Sequence, residues 1–261
     1  MDLASQLRAA IAAQSLPTPS PTLLSQLTTT STTTTTTTAR QPAPPLASLL
    51  ATAKARLLAC DIAGSTLVDP GLAAFPPGIA STARKEARLP HDVFVQVLDV
   101  ENLSASRWDQ VEELEAVERG ERTRGRQVIR VAADEAAEAA DDGDDDDGLR
   151  TEGQDQDLNR AQNQNQGQGQ AGLHTTHRLV LQDRMANRVF AVELRRIPRI
   201  GVGKTCIGEK MLIRAGTQVA RGTVLLGPDN CVLLGGKIDA WHDAWVQGRL
   251  ARLKEAVAGQ R

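Results

Sequence analysis

The sequence predicts a mostly β fold with helices: a small N-terminal helical bundle, then a five-stranded closed barrel with a long insertion and a C-terminal helix. Three observations lead there. The first is a set of short apolar, β-branched runs: VFVQVLDV (residues 93–100), then RLVLQD, RVFAVEL, EKMLIRA, TVLLG and CVLLG, all beyond Arg178. Turn residues separate the later runs, at Met185–Asn187, Gly216, Pro228–Asn230 and Gly235–Gly236. The second is apolar spacing of helical period near both ends of the chain. The third is a pair of low-complexity tracts that cannot bury an apolar face. Five or six strands with one helix and few long crossovers fit a small barrel of the oligonucleotide-binding type. The boundaries follow: residues 1–87 as a helical region and 88–258 as the barrel domain.

In order, DLASQLRAAIAAQ (residues 2–14) places Leu3, Leu7 and Ile11 on one helix face, and Pro17, Pro19 and Pro21 end that helix. The Thr/Pro-rich stretch 28–45 reads as a disordered linker. Helical spacing returns from Leu46 to Ile62, with Leu46, Leu49, Leu50, Ala53, Leu57 and Leu58 giving a broad apolar face. After the strand 93–100, Ser106 with Asp109 predicts a capped helix that Gly120 terminates. Its Trp108, Val111, Leu114 and Val117 recur every third residue, opposite five glutamates between 112 and 121. QVIRVA (residues 127–132) reads as a further strand, and the acidic and Gln-rich tract 134–172 as disordered. Nine of the fourteen residues from Asp134 to Asp147 are acidic, so the tract repels itself; it is either solvated filler, or a lure for a basic partner or mimic of nucleic acid. Asp239 caps the last helix, where Trp241 and Trp245 belong to core packing.

The barrel half is basic. Between Arg178 and Lys254 stand 14 Lys/Arg and 6 Asp/Glu, a net +8, whereas the whole chain is −2. A basic face can hold phosphate backbones, and Arg196, Arg199, Lys204 and Lys210 are its candidate contacts; the alternative is a solvated surface neutralised by the acidic tract. Aromatics make up only 2%, which argues against extensive base stacking, and Phe190 can be core or platform. Three widely spaced cysteines form no C-x-x-C pair, and His174 with His177 lacks neighbouring ligands, so neither metal nor other cofactor is expected. No secretory signal or membrane-length apolar run is present, and no membrane partner is expected.

RIGVGKT (Arg199–Thr205) ends as a nucleotide-binding loop does. Such a loop needs G-x-x-x-x-G-K-[ST] followed by a helix. Its first glycine would fall at Pro198, which has no N–H, and Gly208 breaks any helix three residues after Thr205. The loop therefore reads as a Gly-rich connection between strands, and no enzymatic role is expected.

The stretch Ile207–Trp241 carries G-x-x-L-L-x-P-x-N in Gly222, Leu225, Leu226, Pro228 and Asn230, then Leu234-Gly235-Gly236, with Val232 one place from the pattern's valine. In this it resembles the first barrel domain of the RecQ-mediated genome instability protein 1 family, short fungal type. The likeness extends to VLDVENLSASRWDQVEELEAVERGE and GVGKTCIGEK, and covers residues 88–258. The resemblance implies a non-catalytic, nuclear subunit that binds type IA topoisomerase III. With a RecQ helicase it dissolves double Holliday junctions into non-crossover products, touching DNA weakly or through the complex. It also implies that the insertion, here residues 101–177, reaches the topoisomerase gate. Trp108, Val111 and Leu114, together with Pro228 and Asn230, form the expected partner-binding set, with Trp108 either the anchor or packed on its own barrel. The chain shows one barrel, so no second-barrel partner subunit is expected. A stand-alone single-stranded DNA-binding module is the alternative.

Overall fold

The computed structural model describes residues 2–33, 45–121 and 175–259. The chain divides into two compact units, Met1–Ser104 with Thr175–Arg249, and Ala105–His174 with Leu250–Arg261. The strand expected at 127–132, the tract 134–172 and His174 lie outside the described residues, as do residues 34–44 of the Thr/Pro stretch.

The first unit opens with three helices, α1 (Leu3–Ala13), α2 (Pro21–Thr33) and α3 (Leu46–Ala59). Leu7 and Ile11 of α1, Leu23, Leu24 and Leu27 of α2 and Leu49, Ala53 and Leu57 of α3 form one apolar core. The sequence pattern shows no helix after Pro21 and a linker over 28–45, but α2 forms there and continues through residues 28–33. The third proline opens α2, where the missing N–H costs nothing. Ser20 caps it by accepting the Leu23 N–H at 3.2 Å. Thr28 returns its hydroxyl to the Leu24 carbonyl at 2.9 Å, so its polar group is satisfied within the helix.

The barrel is an eight-stranded sheet of order β1-β6-β7-β4-β3-β2-β5-β8. Its strands are β1 (Glu86–Arg88), β2 (Val93–Asn102), β3 (His177–Gln182), β4 (Arg188–Glu193), β5 (Lys210–Ile213), β6 (Gln218–Ala220), β7 (Thr223–Leu226) and β8 (Cys231–Gly235). β2 pairs antiparallel with both β3 and β5, β4 pairs parallel with β7, and β5 pairs antiparallel with β8. β7 and β8 are thus two halves of one closing strand, bent at Gly227–Asn230, so the ring shuts without a long crossover. Val93, Val95, Val97, Leu179, Leu181, Val189, Ala191, Met211, Ile213, Val224 and Leu226 fill the interior. α5 (Asp239–Ala258) follows, with Trp241 and Trp245 packed on that core as expected; Trp245 Nε1 donates to Asp99 Oδ1 at 2.6 Å. β1 and β6 were not foreseen: three residues each, β1 pairs with β6 and β6 also with β7.

Two of the three motif glycines are explained by close approach, while a Cβ on Gly235, φ +87°, would meet open space. A Cβ on Gly222 would meet the Ala80 carbonyl, and one on Gly236 the Leu58 carbonyl; both residues have positive φ, +76° and +95°. Asn230 staples the bend: its Oδ1 accepts the Gly227 N–H and its Nδ2 donates to the Leu225 carbonyl, each at 2.8 Å. Asn230→Ala leaves both backbone groups without that partner at the barrel's closing corner. It is expected to lower stability by about 1–3 kcal/mol, checked by urea unfolding.

Candidate partner and nucleic-acid interface

Among the described residues of the second unit is α4 (Arg107–Glu118), which begins where the sequence placed its cap. Ser106 Oγ accepts the Asp109 N–H at 3.0 Å and Asp109 Oδ2 accepts the Ser106 N–H at 3.3 Å, a reciprocal capping box. Gly120, with φ +76°, stands just past the end. Lys254 Nζ pairs with Glu115 Oε1 at 2.7 Å, and this hydrogen bond from Lys254 holds the Glu115 carboxyl below its ordinary value. Trp108 is 55% exposed. Val111, in contrast, is buried and Leu114 half-buried, because the three-residue repeat turns steadily round the helix. Of the three candidate anchors on α4, only the tryptophan stands open to a partner.

The insertion is narrower than residues 101–177. Glu101 and Asn102 pair with Arg178 and His177 in the β2–β3 ladder, and Leu103 N–H still reaches the Thr176 carbonyl at 2.9 Å. His177 is buried, its ring Nδ1 2.7 Å from Glu193 Oε2. Asn230 and Pro228 lie at the barrel corner, the asparagine occupied by its own backbone and the proline exposed.

The four proposed phosphate contacts separate into two pairs. Lys210 is wholly buried, paired in register with Gln96, and its Nζ donates to the Gly208 carbonyl at 2.5 Å. Burial pushes its ammonium down to about 8, against the pull of Cys60 and Asp61. It therefore cannot meet a phosphate. Arg196 is drawn onto Glu193 Oε1 at 2.7 Å and the carbonyls of Ile197 and Ile200, bracing its own loop rather than facing outward. Arg199 and Lys204 remain on the surface.

The GKT loop closes on itself. Thr205 and Lys204 N–H groups reach the Gly201 carbonyl at 2.9 and 3.0 Å, and Thr205 Oγ1 accepts the Gly201 N–H at 3.0 Å. Lys204 Nζ turns back to the Pro198 carbonyl, and β5 rather than a helix follows. The N–H groups of Gly201, Lys204 and Thr205 are thus committed within the loop rather than offered to a phosphate. Among the described residues no group of His, Cys, Asp and Glu could hold a metal ion, and no helix is long and apolar enough to cross a membrane.

Sequence reasoning left Phe190 undecided and passed over Arg178 and Arg188. On β4, Val189, Ala191 and Glu193 are buried, so Phe190 points outward, 48% exposed. Alternation along one strand cannot say which half faces in until a neighbouring strand fixes the register.

A bundle of three helices leading into a barrel closed by a bent strand defines a two-part OB-fold protein. Residues 11–65 match the family described as RMI1, N-terminal helical domain, and residues 75–249 the family described as RMI1, N-terminal OB-fold domain. The chain is 31% identical over 196 residues to RecQ-mediated genome instability protein 1 of Schizosaccharomyces pombe, covering 74% of each chain. It belongs to the RecQ-mediated genome instability protein 1 family.

Proposed function

We propose that this chain is a non-catalytic, nuclear subunit of a RecQ helicase–topoisomerase III complex. In that complex it binds the topoisomerase and promotes dissolution of double Holliday junctions. Family membership supports the genome-stability role, and the observation that supports the partner contact is Trp108, exposed on a capped helix within the insertion. An inserted element that binds one state of the topoisomerase gate better than the other shifts the gate's equilibrium, tenfold for about 1.4 kcal/mol of differential affinity.

The test is co-elution with topoisomerase III of the same organism. The full chain is expected to form a stable complex. A chain with residues 105–174 replaced by a short Gly/Ser linker is expected to lose it, while Glu101, Thr176 and His177 stay to keep the β2–β3 ladder. No complex with the full chain would overturn the proposal.

A further inference from the structure

A cleft of about 400 Å³ opens at the closing corner of the barrel, between the β5–β6 turn and the bend at Gly227–Asn230. All of it belongs to the first unit. Three guanidinium groups line it: Arg88 at the end of β1, Arg195 just past β4 and Arg214 just past β5. The lining holds one carboxylate, Asp229, which pairs with Arg195; Asp92, outside the lining, takes Arg214 at 3.0 Å. Each pair uses one side-chain nitrogen of its arginine, so N–H groups remain on both. The Arg88 side chain is exposed and has no ion-pair partner among the described residues. Leu194 opens onto the same cleft, 68% exposed, on a backbone fixed by its N–H bond to the Leu226 carbonyl at 2.8 Å.

The ligand follows from what this cleft offers and withholds. Three arginines against one carboxylate select an anion. No aromatic ring lines the cleft, so a nucleic-acid base has nothing to stack on. A phosphate monoester is best held by convergent backbone N–H groups, and here those are spent. The Ala215 N–H goes to Asp92 Oδ1, that of Gly216 to the Leu89 carbonyl and that of Gly227 to Asn230 Oδ1. What remains is positive charge spread over three side chains beside an exposed leucine. An extended peptide with carboxylates around an aliphatic residue matches that arrangement, because carboxylates accept from guanidinium groups while the aliphatic group covers Leu194. We infer that this cleft docks an acidic segment of a partner protein, its Asp or Glu side chains on Arg88, Arg195 and Arg214 and an aliphatic side chain against Leu194. The inference goes beyond the topoisomerase reading and uses no residue of α4.

Fluorescence anisotropy on the full chain tests this, with a labelled peptide of about eight residues, rich in Glu and containing Leu, in about 50 mM salt. The peptide is expected to bind and its Gln counterpart not to. Arg88→Gln is expected to weaken binding about tenfold and Leu194→Ser about fivefold. Both side chains are exposed, so the urea midpoints of these variants should match the wild type. Lys54→Gln, the same loss of charge at an exposed position of α3, is expected to leave binding unchanged. Absence of Glu-peptide binding, or unchanged binding by Arg88→Gln or Leu194→Ser, overturns the inference. So does an equal loss in Lys54→Gln and Arg88→Gln, since attraction by net charge alone would show that. A phosphoserine peptide that binds more tightly than the Glu peptide would assign the cleft to phosphate. Displacement of the Glu peptide by oligo-dT, itself weakened by Arg88→Gln, would assign it to nucleic acid. Either result overturns the inference and leaves the topoisomerase reading in place.

Discussion

Glu193→Ala is expected to destabilise the barrel by about 3–5 kcal/mol, measured as a fall in the urea midpoint. The carboxylate is 2% exposed and fully engaged. Its Oε2 accepts from the His177 ring at 2.7 Å and the His177 N–H at 3.0 Å, and its Oε1 from Arg196 at 2.7 Å and the Ile197 N–H at 2.9 Å. It thereby joins the start of β3 to the loop leaving β4, and its removal strands two buried N–H groups and an imidazole. Burial alone would raise the Glu193 carboxyl, yet hydrogen bonds from His177, Ile197 and Arg196 bring it below the ordinary value. A folded pKa below the unfolded one means stability that is complete above the unfolded carboxylate range, about 4.3, and is lost as pH falls through the folded value. Urea midpoints of the wild type should therefore drop on acidification below about pH 4.3. Glu193→Gln, less stable throughout, should lose that part of the slope. An equal acid slope in both proteins would mean that other carboxylates carry it.

Much of the barrel was legible because its strands alternate and its turns are marked. Val93, Val95 and Val97 point inward as a period of two requires, and Pro228–Asn230 falls at the bend. What stayed hidden depends on tertiary partners. β1 and β6 are too short to show periodicity and exist through their ladder, β1 on β6 and β6 on β7. α2 was masked by prolines and threonines, whose local preference is overridden by burial of Leu23, Leu24 and Leu27. In the candidate site, composition misled most. A lysine on a basic half-chain reads as a surface cation, but Lys210 sits opposite Gln96, whose amide reaches Asp61 at 2.6 Å and accepts the Ile62 N–H at 3.0 Å. That cluster belongs to the attachment of the α3 segment to the barrel, and nothing near Lys210 in the sequence signals it. His177 and Glu193 are sixteen residues apart, so their pairing too is invisible before the ladder is known. The GKT loop, by contrast, was legible from Pro198 and Gly208, because a missing N–H and a helix break are local facts.

Several residues that make the family motif recognisable are architectural. Gly222 and Gly236 let carbonyls of Ala80 and Leu58 approach, and Asn230 closes the barrel corner. A motif of this kind identifies the fold's construction and says little about what the surface binds. Binding has to be sought where side chains remain uncommitted to the chain's own structure, which moves attention from Asn230 to α4.

Trp108→Ala is expected to weaken topoisomerase III binding by about 2 kcal/mol or more, roughly thirtyfold, while changing folding stability by no more than about 0.5 kcal/mol. The asymmetry follows from position. More than half of the side chain's surface is open, so little of its apolar area contributes to folding. It is the second residue of α4, directly inside the Ser106–Asp109 capping box, so the backbone that carries it is fixed before any partner arrives. Ordering that backbone then adds nothing to the cost of binding. Trp108→Phe, which retains a ring of smaller area, should fall between the wild type and the alanine variant in affinity measured by titration calorimetry. Leu114→Ala, half-buried, should cost more stability and less affinity than Trp108→Ala. If Trp108→Ala binds unchanged, the anchor is elsewhere. If it melts well below the wild type, the ring contributes to the fold despite its exposure, and the assignment of Trp108 as the contact fails.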